Sequence, residues 1–198
     1  MKNWSKGKKI LAAVAAMALC WAAWRVSFWF GGISFDPNTM GVVDVIVVDH
    51  HGDDDTPHYY NIGAGRVKQE CELFEPDNMT VYTVDHNGLE SYIDRSKNKV
   101  LNRLLYIRIE DAQGNEITPT PLMEAAVTCA AGLEHDIMEL HIFQLGEEIF
   151  LQTELNVNWW CPCELYWYDQ KKDRLVELYT FDGLEVVGMR IRDLTRAR

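Results

Sequence analysis

The chain has 198 residues, of which 47% are hydrophobic, and its 30 acidic and 19 basic residues give a formal net charge of −11 at pH 7. This balance argues against a nucleic-acid partner, because phosphate binding needs clustered Lys and Arg side chains. The length is sufficient for one domain with a real hydrophobic core.

The first 30 residues differ in composition from the rest of the chain. Four lysines lie within residues 1–9, and an apolar run follows over residues 10–30, interrupted only by Arg25. The run predicts a transmembrane signal anchor, because small residues for cleavage do not follow its apolar core. The lysines predict a cytoplasmic N-terminus and a C-terminal domain outside the cell membrane. If the segment were cleaved instead, the prediction of export would stand.

The part of the chain that follows the N-terminal segment has a more negative formal charge than the whole chain. Residues 31–198 keep all 30 acids but only 14 basic residues, a formal charge of −16. We interpret residues 31–41 as a tether and residues 42–198 as one exported, β-rich domain.

Short β-type runs separated by turn residues continue to the C-terminus. Their spacing predicts a mainly β fold, an antiparallel sheet or sandwich with at most one short helix. Asp182-Gly183 predicts a two-residue hairpin turn. The predicted strands are 42–49, 67–74, 79–85, 100–110, 135–144, 148–157, 163–169, 174–181 and 185–192.

A loop after the first predicted strand is rich in oxygen and imidazole ligands. Such side chains could bind a divalent cation, although their spacing does not match an EF-hand. This metal site is an alternative hypothesis, and the usual interpretation of such a loop is a solvated surface segment. Its candidate ligands are Asp49, His50, His51, Asp53, Asp55 and His58.

Residues 120–131 predict a short helix. Thr120 is a suitable N-cap, Pro121 suits the first helical position, and Gly132 follows the last turn.

The 62 residues from Ile109 to Gln170 contain 12 acids and neither Lys nor Arg. A long stretch of one sign creates a negative field that attracts a cation or a basic protein. The alternative is a solvated surface that keeps an exported protein soluble.

Strand alternation turns part of this stretch into a candidate surface. With a turn at Gly146-Glu147, Met138, Leu140 and Ile142 would face inward, and Glu139 would lie opposite Glu154 on the outer side. Like charges at this position are unfavourable unless the surface has a use. The predicted partner-binding residues are Glu139, His141, Phe143, Phe150, Gln152 and Glu154, with Glu164, Tyr166 and Tyr168 beside them.

Four cysteines lie in the exported part: Cys71, Cys129, Cys161 and Cys163. An even number in an oxidising compartment favours disulfides. Cys161 and Cys163 flank a proline and point the same way along a strand, so each is expected to pair with Cys71 or Cys129. A Cys-Pro-Cys metal or redox site is the alternative.

The layout and the C-terminal meander resemble a known family. The meander comprises Glu164 to Tyr168, Arg174 to Gly183 and Val186 to Arg192, and it follows a membrane segment and an acidic β-rich domain. Together they resemble TipC-type immunity proteins of Gram-positive bacteria. The resemblance implies a membrane protein facing outward that neutralises a secreted toxin, a TelC-like type VII secretion product that attacks lipid II.

The expected function is therefore that of an immunity protein without catalysis or cofactor, which blocks a basic or metal-bearing toxin through an acidic sheet face. The alternative is a metal-binding or sensory ectodomain that uses the loop from Asp49 to His58. No catalytic motif is recognisable in the sequence.

Overall fold

The computed structural model describes residues 34–35, 39, 41–49, 57–62, 69–70, 78–155, 162–182 and 184–197. All of them belong to one compact unit, Ile33–Arg198. The predicted cytoplasmic region and membrane segment lie outside the described residues. Within the described ranges, no helix is long and apolar enough to cross a membrane.

The described residues form antiparallel strands and one α-helix, which confirms the predicted mainly β class. The helix α1 is Pro121–Ala131. The strands are β1 Ser34–Phe35, β2 Val43–Asp49, β3 His58–Ile62, β4 Gln69–Glu70, β5 Met79–Val84, β6 Leu89–Asp94, β7 Lys99–Leu104, β8 Ile109–Asp111, β9 Glu116–Ile117, β10 Ile137–Leu145, β11 Glu148–Leu155, β12 Pro162–Asp169, β13 Arg174–Asp182 and β14 Leu184–Ile191.

These strands form two sheets and a separate hairpin. The large sheet has the order β1-β13-β12-β11-β10-β5-β8-β9, and the small sheet has the order β14-β2-β3-β4. The hairpin consists of β6 and β7. The predicted Asp182-Gly183 hairpin is wrong, because β13 and β14 lie in different sheets and β14 pairs with β2. The apolar strand β2 is thus hydrogen-bonded on both edges, by β14 and β3.

The helix begins and ends where the sequence predicts. The Thr120 hydroxyl accepts a hydrogen bond from the Met123 amide at 3.3 Å, Pro121 occupies the first turn, and Gly132 follows Ala131. The cap satisfies an amide that has no partner within the helix. Its buried face, including Met123 and Val127, packs on one side of the large sheet.

The large sheet is covered on both sides. The small sheet contributes Val43, Val45 and Val47 to the apolar cluster on one side, while α1 lies over the other. The Tyr179 hydroxyl donates to the Val43 carbonyl at 2.9 Å and so joins the two sheets. Each large apolar side chain buried in these layers contributes about 1.5–3 kcal/mol.

Some strands were not predicted, and one predicted strand is divided. Strand β3 lies in a segment predicted as loop and pairs with β2 in the small sheet, and β6 pairs with β7 in the separate hairpin. The single predicted strand 100–110 is divided between β7 and β8. Leu105 leaves the ladder there and donates its amide to the Gly88 carbonyl at 2.8 Å.

Candidate functional site

The β10–β11 hairpin has the predicted register. Glu139 pairs with Glu154, and Phe143 pairs with Phe150, around a turn in which Gly146 has a φ of 61°. The exception is Met138, which was predicted to face inward. A bulge between Ile137 and Glu139 leaves Met138 exposed, because the extra residue breaks the strand alternation.

One end of the predicted surface is buried. The exposed fractions of Phe143 and Phe150 are 3% and 0%, and Gln152 is also buried. Both phenylalanines belong to the cluster that contains the β2 valines, so the small sheet covers them. The prediction that these three residues form an exposed surface is wrong, because it assumed a sheet covered on one side only.

The other end of the same hairpin is open. The side chains of Glu139 and His141 are 59% and 29% exposed, and Glu154 is partly buried beside them. One ring nitrogen of His141 lies 3.4 Å from a Glu139 carboxylate oxygen, and the other lies 3.4 Å from the Thr83 hydroxyl. The structure therefore keeps these three predicted residues together.

The exposed area continues onto strands that were not part of the predicted partner-binding surface. Thr83 pairs with His141 on one side and with Glu110 on the other, and Glu110 pairs with Glu116. Strand alternation places all these side chains on one side of the sheet. We call this area the acidic face and define it as Glu110, Glu116, Glu139, His141 and Glu154.

Arg108 brings a positive charge to one edge of the acidic face. Its guanidinium lies 2.6 Å from the Glu110 carboxylate and 3.4 Å from that of Glu116. The hydrogen bond from Arg108 neutralises this edge locally. Glu139 and Glu154 are separated from Arg108 by the β5 strand, so the negative charge is concentrated on the β10–β11 side.

The environment of Glu154 is unfavourable for its charge. Burial raises the pKa of the Glu154 carboxyl, and the carboxylate of Glu139 across the ladder raises it further, while His141 acts in the opposite direction. An arrangement of this kind holds a carboxylate that a nearby cation would stabilise.

The three other predicted partner residues are on the opposite side of the large sheet. Tyr166 and Tyr168 are buried in the cluster that contains α1, and Glu164 lies on that side as well. The Tyr166 hydroxyl donates to the Glu164 carboxylate, and the Tyr168 hydroxyl donates to Asp173 at 2.6 Å. These residues are not part of the acidic face, which corrects the prediction that they extend it.

The cysteines do not match the expected disulfides where the structure describes them. Cys129, on α1, is a free thiol whose burial raises its pKa to about 11. Cys163 faces the small sheet, so the large sheet separates it from Cys129. Because the two side chains lie on opposite sides of the sheet, these two sulfur atoms do not form the expected disulfide. Cys71 and Cys161 lie outside the described residues.

The proposed metal loop is described only at its ends. Asp49 and His58 are paired at the end of the β2–β3 ladder, which brings the two ends of the loop together. His50, His51, Asp53 and Asp55 lie outside the described residues. Within the described ranges, no group of three or more His, Cys, Asp or Glu residues is placed to hold a metal ion.

The sequence reading missed Thr83, Arg108, Glu110 and Glu116. Thr83 lies on β5, and the other three residues lie on or next to β8 and β9, which join the β10–β11 hairpin through β5. Strand β5 lies more than 50 residues earlier in the chain than β10. Glu110 and Glu116 were visible as members of the acidic stretch, but only the sheet order places them beside His141.

Comparison with known proteins identifies no relative. No protein-family model matches the chain, and searches of curated proteins and of solved structures return no significant match.

Proposed function

We propose that the chain is an exported, membrane-anchored immunity protein that binds a secreted toxin through the acidic face and blocks it by steric and electrostatic complementarity. The proposal needs neither turnover nor a cofactor. The anchor rests on the N-terminal sequence, and the immunity role rests on the resemblance to TipC-type proteins.

The observation that carries the proposal is the position of Glu139 directly opposite Glu154. Like charges opposite one another in a sheet cost stability, and Glu139 and Glu154 are directly paired in the ladder. A cationic group from a partner would remove this repulsion and would be held between two carboxylates. The repulsion between the two carboxylates, which destabilises the unbound protein, would then be relieved in the complex.

The rigidity of the support favours a binding role. Strand β11 pairs with β10 along its length, and β5 pairs with it from Leu140 to Leu145. Apolar clusters pack on both sides of the large sheet. A preorganised surface loses little conformational entropy on binding. The formal charge of −16 on residues 31–198 would also accelerate encounter with a basic protein.

The test is capture of secreted proteins by the full-length chain in membranes, followed by association kinetics at low and high salt. Wild type is compared with the double variant Glu139→Lys/Glu154→Lys. We expect the association rate constant to fall by about 10–100-fold at low salt, because attraction becomes repulsion. Protection of cells against the captured toxin should fall in parallel.

Glu147→Lys is the matched control. Glu147 is exposed in the turn of the same hairpin, at the end away from Glu139 and Glu154. It changes the net charge by two units without altering the acidic face, and it is compared with the single variant Glu139→Lys, which changes the net charge by the same amount. If the control slows association as much as Glu139→Lys does, the effect is bulk charge and the proposed site is wrong.

A second candidate is metal binding by the loop that follows β2. The pairing of Asp49 with His58 favours it, because it closes the loop that carries the other four candidate ligands. Calorimetry of the full-length protein with Ca²⁺, Zn²⁺ and Mn²⁺ tests this function. Micromolar affinity that Asp53→Asn/Asp55→Asn removes would support it, and millimolar or no binding would exclude it.

A further inference from the structure

The hairpin β6–β7 is attached to the domain at its base. Leu89 is buried there, and the Asn102 side-chain amide donates to the carbonyl oxygens of Leu133 and His135 at 2.8 and 2.9 Å. These contacts hold the root of the hairpin against the segment that follows α1. The position of the ribbon is therefore defined, although it belongs to neither large nor small sheet.

The outer part of this hairpin carries exposed apolar side chains on both of its sides. Tyr92 and Ile93 are neighbours in β6 and so point to opposite sides of the ribbon. Their exposed fractions are 48% and 68%. Lys99, beside them on β7, contacts the domain through an ion pair with Glu134, and the two apolar side chains remain accessible. Their cross-strand partners, Leu101 and Val100, add further apolar area at the same level.

The turn at the tip carries two basic side chains. Residues 89–104 contain four basic and two acidic residues, but Lys99 is paired with Glu134 and Arg103 with Glu90. Arg95 and Lys97 lie in the exposed turn, and Lys97 approaches Asp94 only to 3.8 Å. An exposed pair at this distance leaves the lysine largely available to another anion.

We propose that the tip, defined as Tyr92, Ile93, Arg95, Lys97, Val100 and Leu101, binds the surface of an anionic phospholipid bilayer. Tyr and aliphatic side chains enter the interfacial region, while Arg and Lys contact headgroup phosphates. The combination distinguishes this tip from the β12–β13 turn. That turn has Lys171 and Lys172, but no exposed large apolar residue lies beside them.

Charge complementarity selects the lipid surface as the occupant. The formal charge of −16 on residues 31–198 disfavours contact of the domain as a whole with an anionic bilayer, whereas the exposed Arg95 and Lys97 favour contact through this tip. The contact would fix the orientation of the domain on the membrane and would be strengthened by any anchor, because tethering raises the effective concentration. This inference does not depend on the identity of the toxin or on the acidic face.

The experiment uses the full-length protein reconstituted in vesicles. A photo-crosslinking phenylalanine analogue replaces Ile93, and covalent lipid adducts are measured by mass spectrometry. Vesicles of equal parts phosphatidylglycerol and phosphatidylcholine are compared with phosphatidylcholine alone. We expect at least threefold more lipid adduct at position 93 in the anionic vesicles. The same probe in place of Lys171 should give little adduct in either vesicle.

Two charge-reversal variants complete the design. Arg95→Glu/Lys97→Glu should reduce the adduct at position 93 at least threefold, whereas Lys171→Glu/Lys172→Glu should leave it within twofold of the unmutated yield. Both pairs lie in exposed turns, and circular dichroism verifies that each variant is folded. Equal yields in the two vesicles, equal yields at positions 93 and 171, or adducts to a second protein copy instead of lipid would overturn the proposal.

Discussion

At each end of the β10–β11 hairpin, two side chains of the same type lie opposite one another, but the two ends have different environments. At one end Phe143 lies opposite Phe150, and at the other Glu139 lies opposite Glu154, on the same side of the sheet. The first pair is buried below the small sheet, and the second is open. The small sheet thus divides this side of the hairpin into a buried half and an exposed half.

The division has a clear energetic origin. The β2 valines and Trp167 surround the phenylalanines, and burial of carboxylates in such a place would carry a large desolvation cost. Glu139 and Glu154 therefore lie where the small sheet no longer covers the large sheet. The acidic face is a part of the large sheet that the fold leaves accessible.

The largest effect should come from the covered half. Phe150→Ala removes a completely buried ring, and we expect a loss of about 3–5 kcal/mol in the free energy of unfolding. Met138→Ala, at an exposed position of the same hairpin, should change it by less than about 0.5 kcal/mol. Urea denaturation measures both. A loss below about 1 kcal/mol for Phe150→Ala would show that this half is not core.

A smaller effect is expected at the boundary of the covered half. The Trp167 indole nitrogen donates to the Glu148 carboxylate at 2.8 Å, so Glu148→Ala should cost about 1–2 kcal/mol. Glu147→Ala, the neighbouring exposed residue, serves as the control and should be close to neutral. Equal effects for the two variants in urea denaturation would contradict a specific role of the Glu148 hydrogen bond.

The open half should respond in the opposite direction. Glu154→Gln removes the repulsion from Glu139 and should stabilise the protein by about 0.2–1 kcal/mol at pH 7. Glu147 lies in the turn and has no carboxylate opposite it in the ladder, so Glu147→Gln should have no comparable effect. Destabilisation by Glu154→Gln would mean that the carboxylate makes a favourable contact, and the argument for a partner cation would fail.

The smallest and most specific effect is the pH dependence of that gain. Burial and the Glu139 carboxylate raise the pKa of Glu154 in the folded protein above its ordinary value of 4.5, so the folded state binds the proton more tightly. The wild-type penalty is present above the raised pKa and disappears as the pH falls through it towards 4.5. The stability difference between Glu154→Gln and wild type should shrink over that window. A difference that is constant with pH would assign the gain to another cause.

Local sequence signals were enough for part of this picture. The alternation of residues 137–155 and the turn at Gly146 predicted the cross-strand pairs, and Thr120 and Gly132 predicted the ends of the helix. These features depend on side chains within one turn or one hairpin. The partner of β14 was not predictable in this way, because β2 lies far earlier in the chain. The Met138 bulge was not predictable either, because regular strand alternation carries no signal for an extra residue.

The sequence by itself determined the acidity of residues 31–198, the β-rich class and the order of side chains along each strand, because charge, propensity and period are local properties. Only the tertiary structure decided which side of each strand meets solvent. Phe143, Phe150, Tyr166 and Tyr168 became core because both sides of the large sheet are covered, by the small sheet and by α1. Glu139, His141 and Glu154 remained a surface because that cover stops before it reaches them.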